Sequence, residues 1–196
     1  YIADPRYMRT KVEAMLSEEY AAKRRALIGE QALLPEAGKP FCGGTVYLCT
    51  ADNEGNMVSF IQSNYKDFGS GVVLPGYGIN FNDRGAGFCL DESSDDFLLP
   101  RKKPYHTIIP GFLTKDGEAV GPFGVMGAYM QPQGHVQVLM KTIDFLLHPQ
   151  AALDPPRWQG RDGREVWMED PFAPVVVDHR GQQGLDVLVM SDYTRI

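Results

Sequence analysis

The sequence predicts an α+β fold in which short strands make layered sheets around one buried helix. Three observations carry that expectation. Two pairs of β-prone runs each flank a polar turn, and one stretch repeats its apolar residues at spacings of three and four. Turn formers are also frequent, with 21 Gly and 14 Pro in 196 residues. Such a share marks many turns and argues against a helical bundle.

The elements follow in order. Val12, Met15, Leu16, Tyr20 and Leu27 recur at helical spacing among charged residues, so 11–28 reads as an amphipathic helix stopped at Gly29. Residues 30–44 hold Pro35, Gly38, Pro40, Gly43 and Gly44 and read as an exposed linker, where a chain could be cut. Val46–Ala51 and Met57–Ile61 flank the turn sequence Asp52-Asn53-Glu54-Gly55-Asn56, a hairpin signal. The Gly-rich loop from Phe68 to Gly78 lacks the Gly-Lys-Ser/Thr that would make it a phosphate cradle. A second hairpin is expected from Thr107–Thr114 through Lys115-Asp116-Gly117-Glu118 to a Gly/Val/Pro-rich return. Val136, Leu139, Met140, Ile143, Leu146 and Leu147 predict the main helix, ended by Pro149. The remainder, with Pro155, Pro156, Pro171 and Pro174, reads as loops and short strands.

Composition narrows the function. Apolar residues make up 43%, enough to bury a core, and length predicts one domain or slightly more. Nineteen Lys and Arg against 25 Asp and Glu give a net charge of −6, which argues against nucleic-acid binding, since Arg101-Lys102-Lys103 is an isolated basic run on a solvated surface. No run of apolar residues approaches a membrane span. Cys42, Cys49 and Cys89 are odd in number and lack metal-ligand spacing. His106, His135, His148 and His179 are scattered, so neither a metal nor another cofactor is expected. Asp91, Asp95 and Asp96 read as a solvated loop face, and Cys49 as a small core residue. The chain opens on Tyr1-Ile2-Ala3-Asp4-Pro5, which reads as part of a longer or processed polypeptide; its compartment is not legible.

The sharper signal is Gly43-Gly44-Thr45, where flexible linker meets strand. A threonine freed at its N-terminus carries both a nucleophilic hydroxyl and a base, because its α-amine has a pKa of about 7.7–8. That chemistry requires the Gly44–Thr45 bond to break first, and the absence of a side chain on Gly44 suits attack on its carbonyl by the Thr45 hydroxyl. Most Gly-Gly-Thr sequences are merely strand starts, so the tripeptide alone decides nothing.

The stretches "GGTVYLCTADNEGNMVS", "GSGVVLPGYGINFN", "KKPYHTIIP", "GVMGA" and "IDFLLHPQAALDPPRW" resemble the gamma-glutamyltransferase (gamma-glutamyltranspeptidase) family around its small subunit. The resemblance runs from about residue 1 to about residue 195, and "SNYKDFGSGVV" and "MQPQGH" resemble the cephalosporin- and glutaryl-acylase branch. It implies the four-layer αββα sandwich of the N-terminal-nucleophile hydrolases. Residues 1–44 would be the C-terminal tail of the large subunit, and 45–196 the small-subunit catalytic domain, truncated at its end. Thr45 falls on the family nucleophile, and Ser63 on the threonine that orients it. Gly127-Ala128 falls on the Gly-Gly pair whose N–H groups form the oxyanion hole. His106-Thr107 falls on the Ser-Ser pair that holds the substrate α-carboxylate.

Departures from the family pattern are as informative. Tyr65 stands at a family asparagine, with Asn64 beside it as a substitute, and Arg84 and Gly87 stand at the acidic pair that grips an α-ammonium. A guanidinium there repels an ammonium and favours an acyl group ending in a carboxylate, such as glutaryl. Tyr47, Phe60 and Tyr65 are expected to be packing groups. The resemblance further implies a small-molecule amide substrate, a partner in the large-subunit segment that this chain lacks, and self-association or partner rescue through uncovered core faces. It also implies that the isolated chain is inactive. The competing expectation is an unprocessed or inactive relative that serves as an interaction protein.

Overall fold

Strand β1 (Thr45–Ala51) pairs antiparallel with β2 (Met57–Ser63) across the expected turn, in register from Thr45 opposite Ser63 to Ala51 opposite Met57. Asp52 makes that turn: its Oδ1 accepts the N–H groups of Glu54 and Asn56, both at 2.9 Å. The computed structural model describes residues 3–31, 45–66, 68–170, 172 and 174–191. Residues 32–44 of the expected linker, with Gly44 and Cys42, and the end of the chain from 192 onward lie outside the described residues. Among the described residues the chain divides into two compact units, Tyr1–Glu30 with Asn64–Thr107, and Gln31–Ser63 with Ile108–Ile196.

The first unit holds little regular structure. Its N-terminal helix is not continuous over 11–28: α1 (Val12–Met15) and α2 (Glu18–Arg25) are separate. The break has a local cause. Ser17 is extended and its side chain accepts the Tyr20 N–H, so it caps α2 instead of continuing α1. Glu18 and Glu19 in the first turn and Lys23, Arg24 and Arg25 in the last complement the α2 dipole. The Gly-rich loop contains a two-residue ladder, β3 (Val73–Leu74) with β4 (Ile79–Asn80). Gly69 is required in it, because its φ is +68° and a Cβ would lie 2.2 Å from the Phe81 carbonyl oxygen. The acidic run is only partly solvated: Asp91 is exposed, whereas burial raises the Asp96 pKa.

The second unit carries the sheets. The second expected hairpin is present as β5 (Gly111–Lys115) and β6 (Glu118–Phe123), with a register shift between Leu113 and Thr114. β6 lies against both β1 and β2. Just beyond β6, a Cβ on Gly124 would meet the Tyr47 ring at 2.4 Å. Gly124→Ala is therefore expected to lower stability by about 1–3 kcal/mol, because the added methyl must displace a ring whose hydroxyl is tied to Ser59. A chemical denaturation midpoint measures this, and an unchanged midpoint would refute the close approach.

The main helix, α3, spans Met130–Ile143 and begins six residues before the first residue of the expected stripe. Pro132 and Gly134 read as breakers in the sequence, but Pro132 falls in the first turn, where no intrahelical partner for its N–H is needed. Gly134 lets the helix approach Val125, whose Cγ2 would lie 3.0 Å from an added Cβ. The helix stops at Ile143, not at Pro149: Leu146 takes a φ of 56° and the Leu147 N–H turns back to the Lys141 carbonyl at 3.0 Å. Pro149 instead opens α4 (Pro149–Leu153), where the His148 ring accepts the Gln150 N–H.

The buried face of α3 is also not the expected one. Val136, Met140, Ile143 and Leu146 are exposed, whereas Met130, Gln131, Gly134, His135 and Gln137 are buried. Polar side chains face inward because they finish a sheet edge. β7 (Trp158–Gly160) pairs antiparallel with β8 (Glu165–Glu169), and β9 (Asp186–Met190) joins β8 in parallel. On the outer edge of β7, the Gln133 amide accepts the Gly160 N–H at 2.7 Å and donates to its carbonyl at 3.2 Å. One turn on, the Gln137 amide does the same for Trp158, at 3.2 and 2.8 Å. Two glutamines thus stand in for a neighbouring strand. His135 is buried, with its ring edge-on to Phe123 at 5.2 Å, and burial lowers its pKa.

Two further expectations fail in this unit. Residues 150–196 contain α4 and α5 (Pro174–Gln182) besides strands; the run Val175-Val176-Val177 reads as strand, but it follows a proline placed to start a helix. Cys49 is exposed rather than core, as is Phe60, which with Val46, Leu48 and Val58 makes an exposed apolar face on the β1–β2 hairpin. Among the described residues no helix is long and apolar enough to cross a membrane.

Candidate active site

Hairpin register brings the first pair of candidate residues together. Thr45 opens β1 and Ser63 closes β2, so the two stand directly opposite each other at the open end of the hairpin. The Thr45 hydroxyl donates to Ser63 Oγ at 3.0 Å. Eighteen residues of sequence are thereby converted into one hydrogen bond, by a tight turn and two strands of equal length. Both residues are half-buried, and Tyr47 on the same face of β1 bonds Ser59 Oγ at 3.1 Å. Burial raises the Tyr47 pKa, which keeps the phenol neutral as a packing and hydrogen-bonding group.

Gly127 and Ala128 form the turn that feeds α3. Their carbonyls accept the N–H groups of Met130 and Gln131 at 2.9 and 3.1 Å. Both residues have positive φ, 119° at Gly127 and 52° at Ala128. A Cβ on Gly127 would lie 2.9 Å from Met130 Cβ, so glycine is required there. Ala128 holds its left-handed backbone at a cost of about 1 kcal/mol, while its methyl group is buried. Among the described residues no acceptor takes the main-chain N–H of Gly127 or of Ala128. Within the described residues the turn thus presents two successive donors that no acceptor takes.

A second cluster forms within the other unit. Arg84, in a single 3-10 turn (Arg84–Gly87), is buried; its Nη1 donates to Thr107 Oγ1 at 2.8 Å, and its guanidinium lies 4.2 Å over the Tyr65 ring. Thr107 and Tyr65 are themselves buried, and Tyr65 has a φ of 76°. Tyr65 and Arg84, two of the positions that the sequence reading singles out, are therefore in contact, which the sequence does not reveal because nineteen positions separate them. His106 is exposed at its ring, yet desolvation and then the Arg84 charge lower its pKa, so it is neutral at pH 7. Asn64 is half-buried, and its main-chain carbonyl accepts the Asp83 N–H at 2.9 Å. Among the described residues no group of three or more His, Cys, Asp or Glu could hold a metal ion.

Comparison with known proteins shows the family. The family model described as Gamma-glutamyltranspeptidase matches residues 1–194. The chain is 33% identical over 197 residues to the glutathione hydrolase-like YwrD proenzyme of Bacillus subtilis strain 168, covering 98% of this chain and 37% of that protein. It is 34% identical over 199 residues to the oxamate amidohydrolase proenzyme of Klebsiella pneumoniae, covering 99% and 38%. Among solved structures, the cephalosporin acylase from Bacillus halodurans matches with a TM-score of 0.92 at 55% identity, over 100% of this chain and 36% of that one. The chain thus spans a little over a third of the length of these relatives, which bear the names of hydrolases and acylases, two of them made as proenzymes.

Proposed function

The chain belongs to the gamma-glutamyltranspeptidase family, and on that premise we propose that Thr45 is the nucleophile of an N-terminal threonine amidohydrolase or acyltransferase. The observation that carries this reading is the 3.0 Å hydrogen bond from Thr45 to Ser63 at the very start of β1. In the proposed maturation the Thr45 hydroxyl attacks the Gly44 carbonyl, the amide bond breaks in favour of an ester, and water hydrolyses that ester. Gly44 is left with a carboxylate and Thr45 with a free amine.

In turnover the amine takes the hydroxyl proton as Thr45 Oγ1 attacks the substrate amide carbonyl. Ser63 holds the hydroxyl in one rotamer before attack. The tetrahedral oxyanion is assigned to the N–H groups of Gly127 and Ala128, whose lack of an acceptor among the described residues supports the role. The amine proton then goes to the departing nitrogen, leaving an acyl–Thr45 ester that water or a second amine resolves. Acyl-group recognition is assigned to Arg84 and Thr107, with His106 and Asn64 as further substrate contacts. A buried guanidinium suits a carboxylate-ended acyl chain such as glutaryl better than the ammonium of a γ-glutamyl group.

We assign the complete protein the four-layer αββα sandwich, with residues 1–44 as large-subunit tail and 45–196 as small subunit. The exposed apolar face of Val46, Leu48, Val58 and Phe60 supports an activity that belongs to a larger assembly. Mass spectrometry of the complete protein after incubation tests the reading. A new fragment beginning at Thr45 is the expected result, and a protein that turns over amide while keeping the Gly44–Thr45 bond would overturn it. An intact and inactive protein would favour the alternative of an interaction partner.

A further inference from the structure

We propose that Gln131 is the positioning residue that fixes the Gly127–Ala128 turn for oxyanion binding, a role that rests on the acyl-transfer reading above. Gln131 is fully buried in the first turn of α3, with none of its surface exposed. Its main-chain N–H closes the turn by donating to the Ala128 carbonyl at 3.1 Å. Its side-chain Oε1 accepts the Ile109 N–H at 3.2 Å, from the segment that leads into β5. One residue therefore ties the turn to a separate piece of backbone and holds the left-handed Ala128 between fixed points.

The Gln131 side-chain amide is hydrogen-bonded through its oxygen and not through its nitrogen among the described residues. The Gln131 Nε2 is buried and has no hydrogen-bond partner among the described residues; methionine, of similar size, would avoid that deficit but leave the Ile109 N–H without its acceptor. The neighbouring glutamines differ in this respect, since Gln133 and Gln137 spend both amide atoms on β7. Gln131 Oε1 is instead spent on the Ile109 N–H. Oxyanion donors act only when aimed at the position the charged oxygen reaches, so loss of this tie should slow chemistry without weakening substrate binding.

The test uses the complete, processed enzyme. Gln131→Met is expected to lower kcat about tenfold with KM within twofold, and to raise the infrared stretching frequency of the acyl-enzyme ester carbonyl, reporting weaker polarisation. Gln131→Glu keeps an oxygen for the Ile109 N–H and is expected to recover most of kcat. If Gln131→Met does not fold, Gln131→Asn, too short to span the same gap, takes its place with the same expected loss. A folded Met or Asn variant with wild-type kcat and carbonyl frequency overturns the proposal, as does equal impairment of the Met and Glu variants. Failure of the underlying reading is seen separately, as turnover that survives Thr45→Ala.

Discussion

Thr45→Ala is expected to abolish both self-cleavage and amide turnover, with kcat falling about 10⁴- to 10⁶-fold, the scale on which loss of a covalent nucleophile is felt. The same substitution should cost only about 0.5–1.5 kcal/mol of stability, because the folded chain loses one hydrogen bond, to Ser63, from a half-buried site. The two readouts therefore separate chemistry from folding. Thr45→Ser keeps hydroxyl and amine and should retain cleavage and turnover at reduced rate. Ser63→Ala should lower kcat by about 10-fold or more while leaving the nucleophile intact, since it frees a rotor that the cross-strand bond now holds. Ser63→Thr should be nearly silent. The pH profile gives an independent check. If the freed amine is the base, kcat/KM rises with pH as that amine loses its proton, around its usual pKa of about 7.7–8. A Thr45→Ala protein with turnover intact would remove the mechanism altogether.

The hairpin that supports this chemistry was legible from local signals. Asp52 to Asn56 is a turn by composition, the flanking runs are β-prone, and strands of equal length leave one register that buries a consistent face. Thr45 opposite Ser63 then follows from counting. Periodicity served less well for α3. It detects a helix from apolar spacing but assumes that the apolar stripe is the buried one. In α3 most of the stripe, Val136, Met140 and Ile143, is exposed and Gln and His face inward, because Gln133 and Gln137 complete the edge of β7. No local pattern can announce that, since the strand they serve lies more than twenty residues downstream. The early start of α3 was missed for a related reason: Pro132 and Gly134 break helices only in their interior and away from close neighbours.

The site divides along the same line. Gly127-Ala128 could be flagged by motif as a candidate, but the two successive positive φ values could not, since alanine carries no signal for a left-handed backbone. Arg84 could be flagged as a charge in an unusual place, whereas its contacts with Tyr65 and Thr107 are tertiary. Tyr65 read as a packing group is correct as far as it goes: its ring is buried, and what it packs against is the guanidinium.

That contact leads to the second large effect. The complete enzyme is expected to hydrolyse a glutaryl anilide in preference to a γ-glutamyl anilide, and Arg84→Gln is expected to reduce that preference about 10- to 100-fold. Buried charge decides the sign. A carboxylate beside Arg84 gains a charge-assisted hydrogen bond in a site of low dielectric, while the γ-glutamyl ammonium meets a like charge. Glutamine is the informative replacement because it stays polar while removing the charge and the stacking plane. Arg84→Lys keeps the charge but loses the flat face over Tyr65, so it should keep the sign of the preference with a smaller ratio. Tyr65→Leu should act in the same direction as Arg84→Lys, since stacking on a buried ring is worth about 2 kcal/mol in holding the guanidinium in place. A wild-type preference for the γ-glutamyl anilide, or a ratio that Arg84→Gln leaves unmoved in a folded protein, would take acyl recognition away from Arg84. The nucleophile would be untouched by either result, because Thr45 is tested by loss of turnover and Arg84 by the ratio between two substrates.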